Sequence, residues 1–327
     1  MNRMGVALVA GGAGFLGAAV CARLLARGHD VVCLDDFSTG TEGAIAAFAA
    51  DPRFRLVRAD VRDPPDIAAA QVWNFACPAD PTVWPRDPDF VLSTAATGTE
   101  RLLRLAARHG ARFLQASTSE VYGDPEIHPQ PETYAGRVDC TGQRACYEEG
   151  KRAAEAFCAI ARRRGADVRV ARLFNAYGPG MRADDGRAVP AFVSAALAEK
   201  PLVLFGDGSQ TRSFCFVDDI LDGLFALMDL PTAPDGPLNL GSETETTLRQ
   251  LAVLVCELAG SSVAITEAPG RPDDPRRRRP DLARARALLG FAPRVNLSEG
   301  LRRTIAARRG GRAEAAAALP AGTPAQP

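Results

Sequence analysis

The chain has 327 residues, with 39 basic side chains balanced by 39 acidic ones, which gives ample material for a large core and excludes the one-signed charge of a general nucleic-acid binder. No apolar run approaches the roughly 20 residues that cross a bilayer, and no basic stretch leads into a signal-like core. The expectation is a cytoplasmic protein that acts on a small molecule, with no membrane partner. Eight scattered cysteines without a C-x-x-C pair point to reduced core or near-core residues, not to a metal or disulfide framework.

In chain order, residues 6–10 form a short apolar run that ends in glycines, and 18–27 have helical composition. Between them Gly12-Ala13-Gly14-Phe15-Leu16-Gly17 fits G-x-G-x-x-G, with Gly11 as a further glycine. Turns of this kind let backbone amides approach a pyrophosphate, and the helix N-terminus favours its charge. The cofactor-binding set is therefore Gly11, Gly14, Phe15, Leu16 and Gly17. A second apolar run, 31–34, closes on Asp35 and Asp36; either can accept hydrogen bonds from ribose hydroxyls and repel a 2′-phosphate, which favours NAD over NADP. After a third run at 54–57, Asp60 and Val61 stand where an acid could reach the adenine, although Asp60 could equally cap a helix.

Runs at 72–76, 112–116 and 168–173 repeat the pattern, separated by alanine- and arginine-rich segments such as 100–109 and 147–164. This alternation predicts an α/β fold with a doubly wound parallel Rossmann sheet. After the fifth run comes Ser117-Thr118-Ser119-Glu120-Val121-Tyr122-Gly123, and further on Tyr147 and Lys151 stand four apart. On a helix the two share a face, one turn apart, so the ammonium can stabilise a phenolate and make it a general base for a sugar or alcohol hydroxyl. Cys146, beside Tyr147, has no histidine nearby to make it a nucleophile. Past Asn175, Gly178-Pro179-Gly180 breaks the chain, and shorter strands with proline-rich connections follow. The expected division is 1–175 for the NAD-binding domain, with segments around 210–240 returning to it, 176–312 for a smaller C-terminal substrate lobe, and 313–327 as a disordered tail.

Taken together these features resemble the extended short-chain dehydrogenase/reductase family, and within it the branch that decarboxylates UDP-glucuronate. The carrying segments are Ala116-Ser117-Thr118-Ser119-Glu120-Val121-Tyr122-Gly123-Asp124-Pro125, Arg144-Ala145-Cys146-Tyr147-Glu148-Glu149-Gly150-Lys151-Arg152, Val170-Ala171-Arg172-Leu173-Phe174-Asn175, Asp185-Gly186-Arg187, Gly208-Ser209-Gln210-Thr211-Arg212, and Asp273-Asp274-Pro275 running to Pro280-Asp281. The likeness spans about 4–305. It implies that Tyr147, helped by Lys151, takes the proton of the sugar's 4-hydroxyl as hydride leaves carbon 4 for NAD, with Thr118 bonded to the same oxygen. The resulting 4-ketone makes the uronate a β-keto acid that loses carbon dioxide, and return of the hydride gives UDP-xylose.

By the same resemblance, Ser119 and Glu120 mark the decarboxylase: 4,6-dehydratases carry an Asp-Glu pair there, and 4-epimerases place a small residue where Glu120 stands. Glu120 would sit near carbons 4 to 6 and assist decarboxylation or reprotonation, and Ser119 would contact the carboxylate side. Within Arg276-Arg277-Arg278-Arg279 the family's pattern selects Arg278 to hold the carboxylate, with Arg277 as alternative. Arg212 would meet the diphosphate, Arg187 and Asn175 would add contacts, and Arg172 would be structural. The family's usual His-Leu-Ala-Ser-Pro-Ala-Ser-type stretch is Asn74-Phe75-Ala76-Cys77-Pro78-Ala79-Asp80 here, and 82–87 lacks the usual tyrosines. Other readings are a 4-epimerase, a decarboxylase of another nucleotide uronate, or a non-catalytic binding protein; the intact Thr118, Tyr147 and Lys151 argue against the last. The resemblance also implies a homodimer built on the helices at 100–109 and 147–164.

Overall fold

The computed structural model describes residues 4–271 and 273–317. The first part of the chain runs β1 (Met4–Ala10), α1 (Phe15–Ala26), β2 (His29–Asp35), α2 (Glu42–Ile45), β3 (Phe54–Arg58), β4 (Gln71–Asn74), α3 (Pro88–Ser93), α4 (Thr99–His109), β5 (Arg112–Thr118), α5 (Ala145–Arg163) and β6 (Val168–Leu173). It continues with β7 (Ala176–Tyr177), α6 (Ala188–Leu197), β8 (Leu202–Phe205), β9 (Thr211–Ser213), β10 (Cys215–Phe216), α7 (Val217–Asp229), β11 (Leu238–Leu240), β12 (Glu245–Thr247), α8 (Leu248–Ala259), β13 (Ile265–Ala268), β14 (Arg277–Arg278), α9 (Ala283–Leu289) and α10 (Leu297–Ala317). Seven strands form one sheet in the order β11-β6-β5-β4-β1-β2-β3, and every pairing in it is parallel.

The central strands read as unbroken apolar runs because both faces of the sheet are covered. In β1, Ala7 and Val9 point into one core layer with Val20, Cys21 and Leu24 of α1 and Ile220 and Leu224 of α7. Leu8 and Ala10 point into the other, with Leu102, Leu105 and Ala106 of α4 and Cys158 of α5. The period of two thus converts one strand into two helix-packing surfaces. The carboxyl ends of β1, β2 and β5 open to the same side, where ligands bind in sheets of this kind. Facing them is a smaller layer in which β9 pairs antiparallel with β12 and parallel with β14, while β8 pairs with β13.

Two details differ from the sequence expectations: where β4 stops and how far α10 runs. β4 stops at Asn74, two residues short of the expected run, because the Asn74 side chain turns inward to Thr99 (3.0 Å) and Gln115 (2.9 Å) and accepts the Ala76 N–H. α7 lies against the sheet and β11 completes its edge beside β6. α10 runs to Ala317, so the segment expected as a tail begins inside a helix, and 318–327 lies outside the described residues. Among the described residues no helix is long and apolar enough to cross a membrane.

Candidate active site

A cleft of about 240 Å3 follows the carboxyl edge of the sheet and is lined by the glycine-rich turn, the end of β2, the end of β5, the start of α5 and one arginine of β14. The turn is bare main chain by necessity. A Cβ on Gly17 would lie 2.0 Å from the Gly11 carbonyl oxygen, and Gly11 itself has φ +73°. α1 begins at an extended Gly14 that offers no side-chain cap, which leaves the first amides of the helix for an anion. Asp35 is buried and held by two backbone N–H groups, from Ala13 to Oδ2 (2.8 Å) and from Phe37 to Oδ1 (2.9 Å); burial raises its pKa. Asp36 also lines the cleft and accepts the Ser38 N–H. These residues fit a dinucleotide.

Tyr147 and Lys151 lie one turn apart on α5 and are 6% and 5% exposed. The Lys151 ammonium donates to the Ala116 carbonyl of β5 (2.9 Å) and sits 5.9 Å from the centre of the Tyr147 ring. Burial raises the Tyr147 pKa, as do the Cys77 thiol and the charge of Glu120; a hydrogen bond with Thr118 and the charge of Arg187 act in the opposite direction. In the protein alone, then, burial outweighs the cations, and the expected phenolate is held as a phenol. Burial also lowers the pKa of Lys151. Thr118 accepts the Glu120 N–H through its Oγ1 (3.2 Å), which keeps its own proton free to donate. Ser119 is buried beside it and lines the cleft.

Glu120 is enclosed by charge. Arg144 bonds one carboxylate oxygen, and Arg278 donates to the other at 2.9 Å. Although burial opposes ionisation, the charges of Arg278 and Arg144 hold the Glu120 pKa down at about 2. Arg144 also donates to Glu148 (3.0 Å) and lies 3.9 Å from Asp274, which is bound in turn by Arg212 (2.8 Å). Glu148 is pushed up to about 7 by burial and by Glu120. Arg278 is itself buried, and its Nε and Nη2 have no hydrogen-bond partner among the described residues. Its Nη2 lies 3.9 Å from Asp274, and a cleft-lining arginine with two donors free of hydrogen bonds is suited to a carboxylate.

The structure brings together Gly11, Gly14, Phe15, Leu16, Gly17, Asp35, Asp36, Val61, Thr118, Ser119, Glu120, Tyr147, Lys151, Asn175, Arg187 and Arg278 around one cleft. Two predicted contacts stand elsewhere. Asp60 is not on the cleft wall: Arg62, two residues on, donates to its Oδ2 from Nη2 (2.5 Å) and Nε (2.9 Å) and to its Oδ1 from Nε (3.1 Å) and the backbone amide (2.7 Å). Arg212 lies behind the wall, paired with Asp274, because β14 runs beside β9 and sets Arg278 in register with Arg212. Burial and the charge of Arg278 lower its pKa to about 10. Arg187 lines the cleft but is held by Asp185 (2.6 Å). Asn175 adopts φ +31° and donates to the Ser213 carbonyl (3.3 Å). Of the two alternatives in β14, Arg277 faces outward and Arg278 inward, as the strand period requires. Arg172 is bound to both oxygens of Glu155 (2.9 and 2.7 Å), away from the cleft wall.

Sequence reasoning assigned nothing to Arg144, Glu148, Asp274 or Trp84. The first two carry a readable signal, since Arg144 precedes Glu148 by four on a helix and Tyr147 by three. Trp84 carries none: a loop brings its ring flat against Tyr147, with centroids 4.6 Å apart and planes 14° apart.

The model of the NAD dependent epimerase/dehydratase family matches residues 7–241, and the chain belongs to that family. UDP-glucuronic acid decarboxylase 1 of Arabidopsis thaliana is 44% identical over 299 residues, which are 91% of this chain and 68% of that protein. Among solved structures, a UDP-glucuronic acid 4-epimerase from Bacillus cereus in complex with UDP-glucuronic acid and NAD matches with a TM-score of 0.85 at 26% identity, covering 93% of this chain and 99% of that one. A dTDP-glucose 4,6-dehydratase from Streptomyces venezuelae, with NAD bound, gives 0.86 at 27% identity, covering 94% and 98%.

Proposed function

We propose that the protein converts UDP-glucuronate to UDP-xylose, with NAD as a cofactor regenerated within each turnover. The observation that carries this reading is the buried, half-unsatisfied fork of Arg278 beside Glu120, at the end of the cleft where Tyr147 and Thr118 meet. That arrangement fits a sugar with a hydroxyl at the tyrosine and a carboxylate at the arginine. The 44% identity to a UDP-glucuronic acid decarboxylase supports it.

When bound at the glycine cradle, NAD supplies the oxidising power at carbon 4, and its positive charge offsets the burial that keeps Tyr147 protonated. The Tyr147 oxygen takes the 4-hydroxyl proton, and Thr118 orients that oxygen by hydrogen bonding. A ketone at carbon 4 stands β to the carboxylate, so carbon dioxide leaves from carbon 6 as the electrons of the broken bond flow into the ketone as an enolate. Protonation at carbon 5, by a proton that enters from solvent, and reduction at carbon 4 give the pentose with no net redox change, and Tyr147 returns its proton to the 4-oxygen. Glu120, ionised down to about pH 2, orders the guanidiniums of Arg144 and Arg278 and is a poor source of the carbon 5 proton. Asp35 would hold the ribose hydroxyls.

Purified protein incubated with UDP-glucuronate and NAD should release carbon dioxide and form UDP-xylose in equal amounts. Formation of a 4-epimeric uronate without carbon dioxide would establish the epimerase reading instead. We further infer a homodimer through α4 and α5, supported by the small residues on the outer side of α5, the half-buried Ala153 and the exposed Ala156. Sedimentation at micromolar protein tests it, and a monomer only would exclude it.

A further inference from the structure

We propose that Arg144 is a positioning residue: through its guanidinium it fixes Glu120, and through the ring of Trp84 it fixes Tyr147, so that the two reacting ends of the sugar site keep one spacing. This rests on the decarboxylase reading, which requires oxidation at one carbon and loss of a carboxylate two carbons away on the same bound sugar.

Four contacts converge on this side chain. Its Nη2 bonds Glu120, its Nε donates to Glu148 at 3.0 Å, its Nη1 lies 3.9 Å from Asp274, and its central carbon stands 5.0 Å from the centre of the Trp84 ring. Trp84 is 3% exposed, its indole N–H is anchored on the Pro78 carbonyl at 2.9 Å, and the ring of Tyr147 stacks on it. The Arg144 backbone joins in, since its carbonyl accepts the N–H of both Tyr147 and Glu148 at 3.0 Å. Neither Arg144 nor Trp84 lines the cleft, so both act through the residues that do.

Only arginine combines a planar face for the indole with a fork that reaches several carboxylates at once; a lysine ammonium offers the charge without the plane. The Trp84 ring is likewise fixed at both ends, by the Pro78 carbonyl and by stacking. The line Tyr147, Trp84, Arg144, Glu120, Arg278 therefore spans the sugar end of the cleft from the general base to the carboxylate fork; Glu120 is 12% exposed at its side chain and the other four are buried.

Three variants test the inference: Arg144→Ala, Arg144→Lys and Trp84→Phe, each assayed for carbon dioxide and UDP-xylose beside the unmodified enzyme. Misplacement by about 1 Å should lower kcat of Arg144→Ala by about 10²-fold, with KM changed less than about threefold. Arg144→Lys should recover only a small part of this, whereas guanidinium ion added to Arg144→Ala should restore turnover. Glu120 is faced by Glu148 and Tyr147 from α5, by Arg144, the residue that caps that helix, by Arg278 from β14, by Arg212 from β9 and by Asp274 from the loop before β14. Removing one of its two bound cations should bring the acid limb of kcat/KM to a pH higher by about 1 unit. A role in stability alone would move neither the limb nor the response to guanidinium. Trp84→Phe, which keeps an aromatic face but loses the anchor, should lower kcat by about tenfold and carries the test if Arg144→Ala does not fold. Arg144→Lys with an unchanged kcat, a loss confined to KM, or an unmoved acid limb would overturn the inference while leaving the function intact. An unmodified enzyme that releases no carbon dioxide would defeat the functional reading and this inference with it.

Discussion

Along the cofactor end of the cleft the chain presents main chain, in a turn where even a methyl group on Gly17 would strike the Gly11 carbonyl, and its buried acid, Asp35, is itself gripped by backbone amides. At the sugar end Glu120 and Arg278 line the cleft, and behind them Glu148 and Asp274 are interleaved with Arg144 and Arg212. The first construction fixes geometry through the covalent chain and is insensitive to which neighbours surround it. The second fixes it by mutual attraction across segments far apart in sequence, so each member depends on the rest.

The contrast can be broken or sharpened by substitution. The largest effect should come where the two ends meet: Tyr147→Phe removes the proton carrier and should lower kcat by about 10³-fold with NAD binding retained, as measured by product formation and by titration with NAD. Next, Arg278→Met should lower kcat/KM for the uronate by about 10²-fold, mainly through KM, and leave NAD binding unchanged. Gly17→Ala should do the reverse, weakening NAD binding in calorimetry and costing about 1–3 kcal/mol of stability in denaturant titration. Equal loss of uronate and NAD binding in both variants would show that the two ends are not separate constructions.

A smaller effect concerns pH. Glu148 has an ordinary carboxylate value of 4.5 when exposed and about 7 in the folded protein. The folded state therefore holds this proton more tightly than the unfolded chain, so stability falls as pH rises between those two values and the penalty persists above them. Glu148→Gln keeps an oxygen for Arg144 and removes the titration, so its thermal midpoint should drop less between about pH 5 and about pH 8 than that of the unmodified protein. Smallest of all, Asp60→Asn should leave NAD affinity within about twofold, since that carboxylate is held by Arg62 and stands off the cleft wall.

The cofactor end was open to sequence reasoning because its signals are local. Gly12 to Gly17 lie between an apolar strand and a helix, Asp35 ends the next strand, and Tyr147 and Lys151 share a helix face, so spacing alone sets their relative positions. The sugar end was legible only one residue at a time. Glu120 and Arg278 could be marked by family likeness, but their pairing depends on β14 lying beside β9, and no spacing encodes that. Arg212 was assigned to the cleft for the same reason, and its pairing with Asp274 emerges only once the strands are in register. Asp60 stands off the cleft wall beside a neighbour, Arg62, which is close enough in sequence to close on it. The ionisation of Tyr147 could not be read from a lysine one turn away, since burial is a property of the whole core and outweighs it here.

The position of β11 bears on how the protein is made. Leu238, Asn239 and Leu240 complete the sheet beside Ala171, Arg172 and Leu173, and Asn239 is bound by the Tyr122 hydroxyl (2.8 Å) and donates its backbone N–H to Glu132 (2.9 Å). During synthesis, the six strands that precede β11 in this sheet emerge well before it does. Until residue 240 clears the ribosome, β6 is an unpaired parallel edge, open to pairing with another chain.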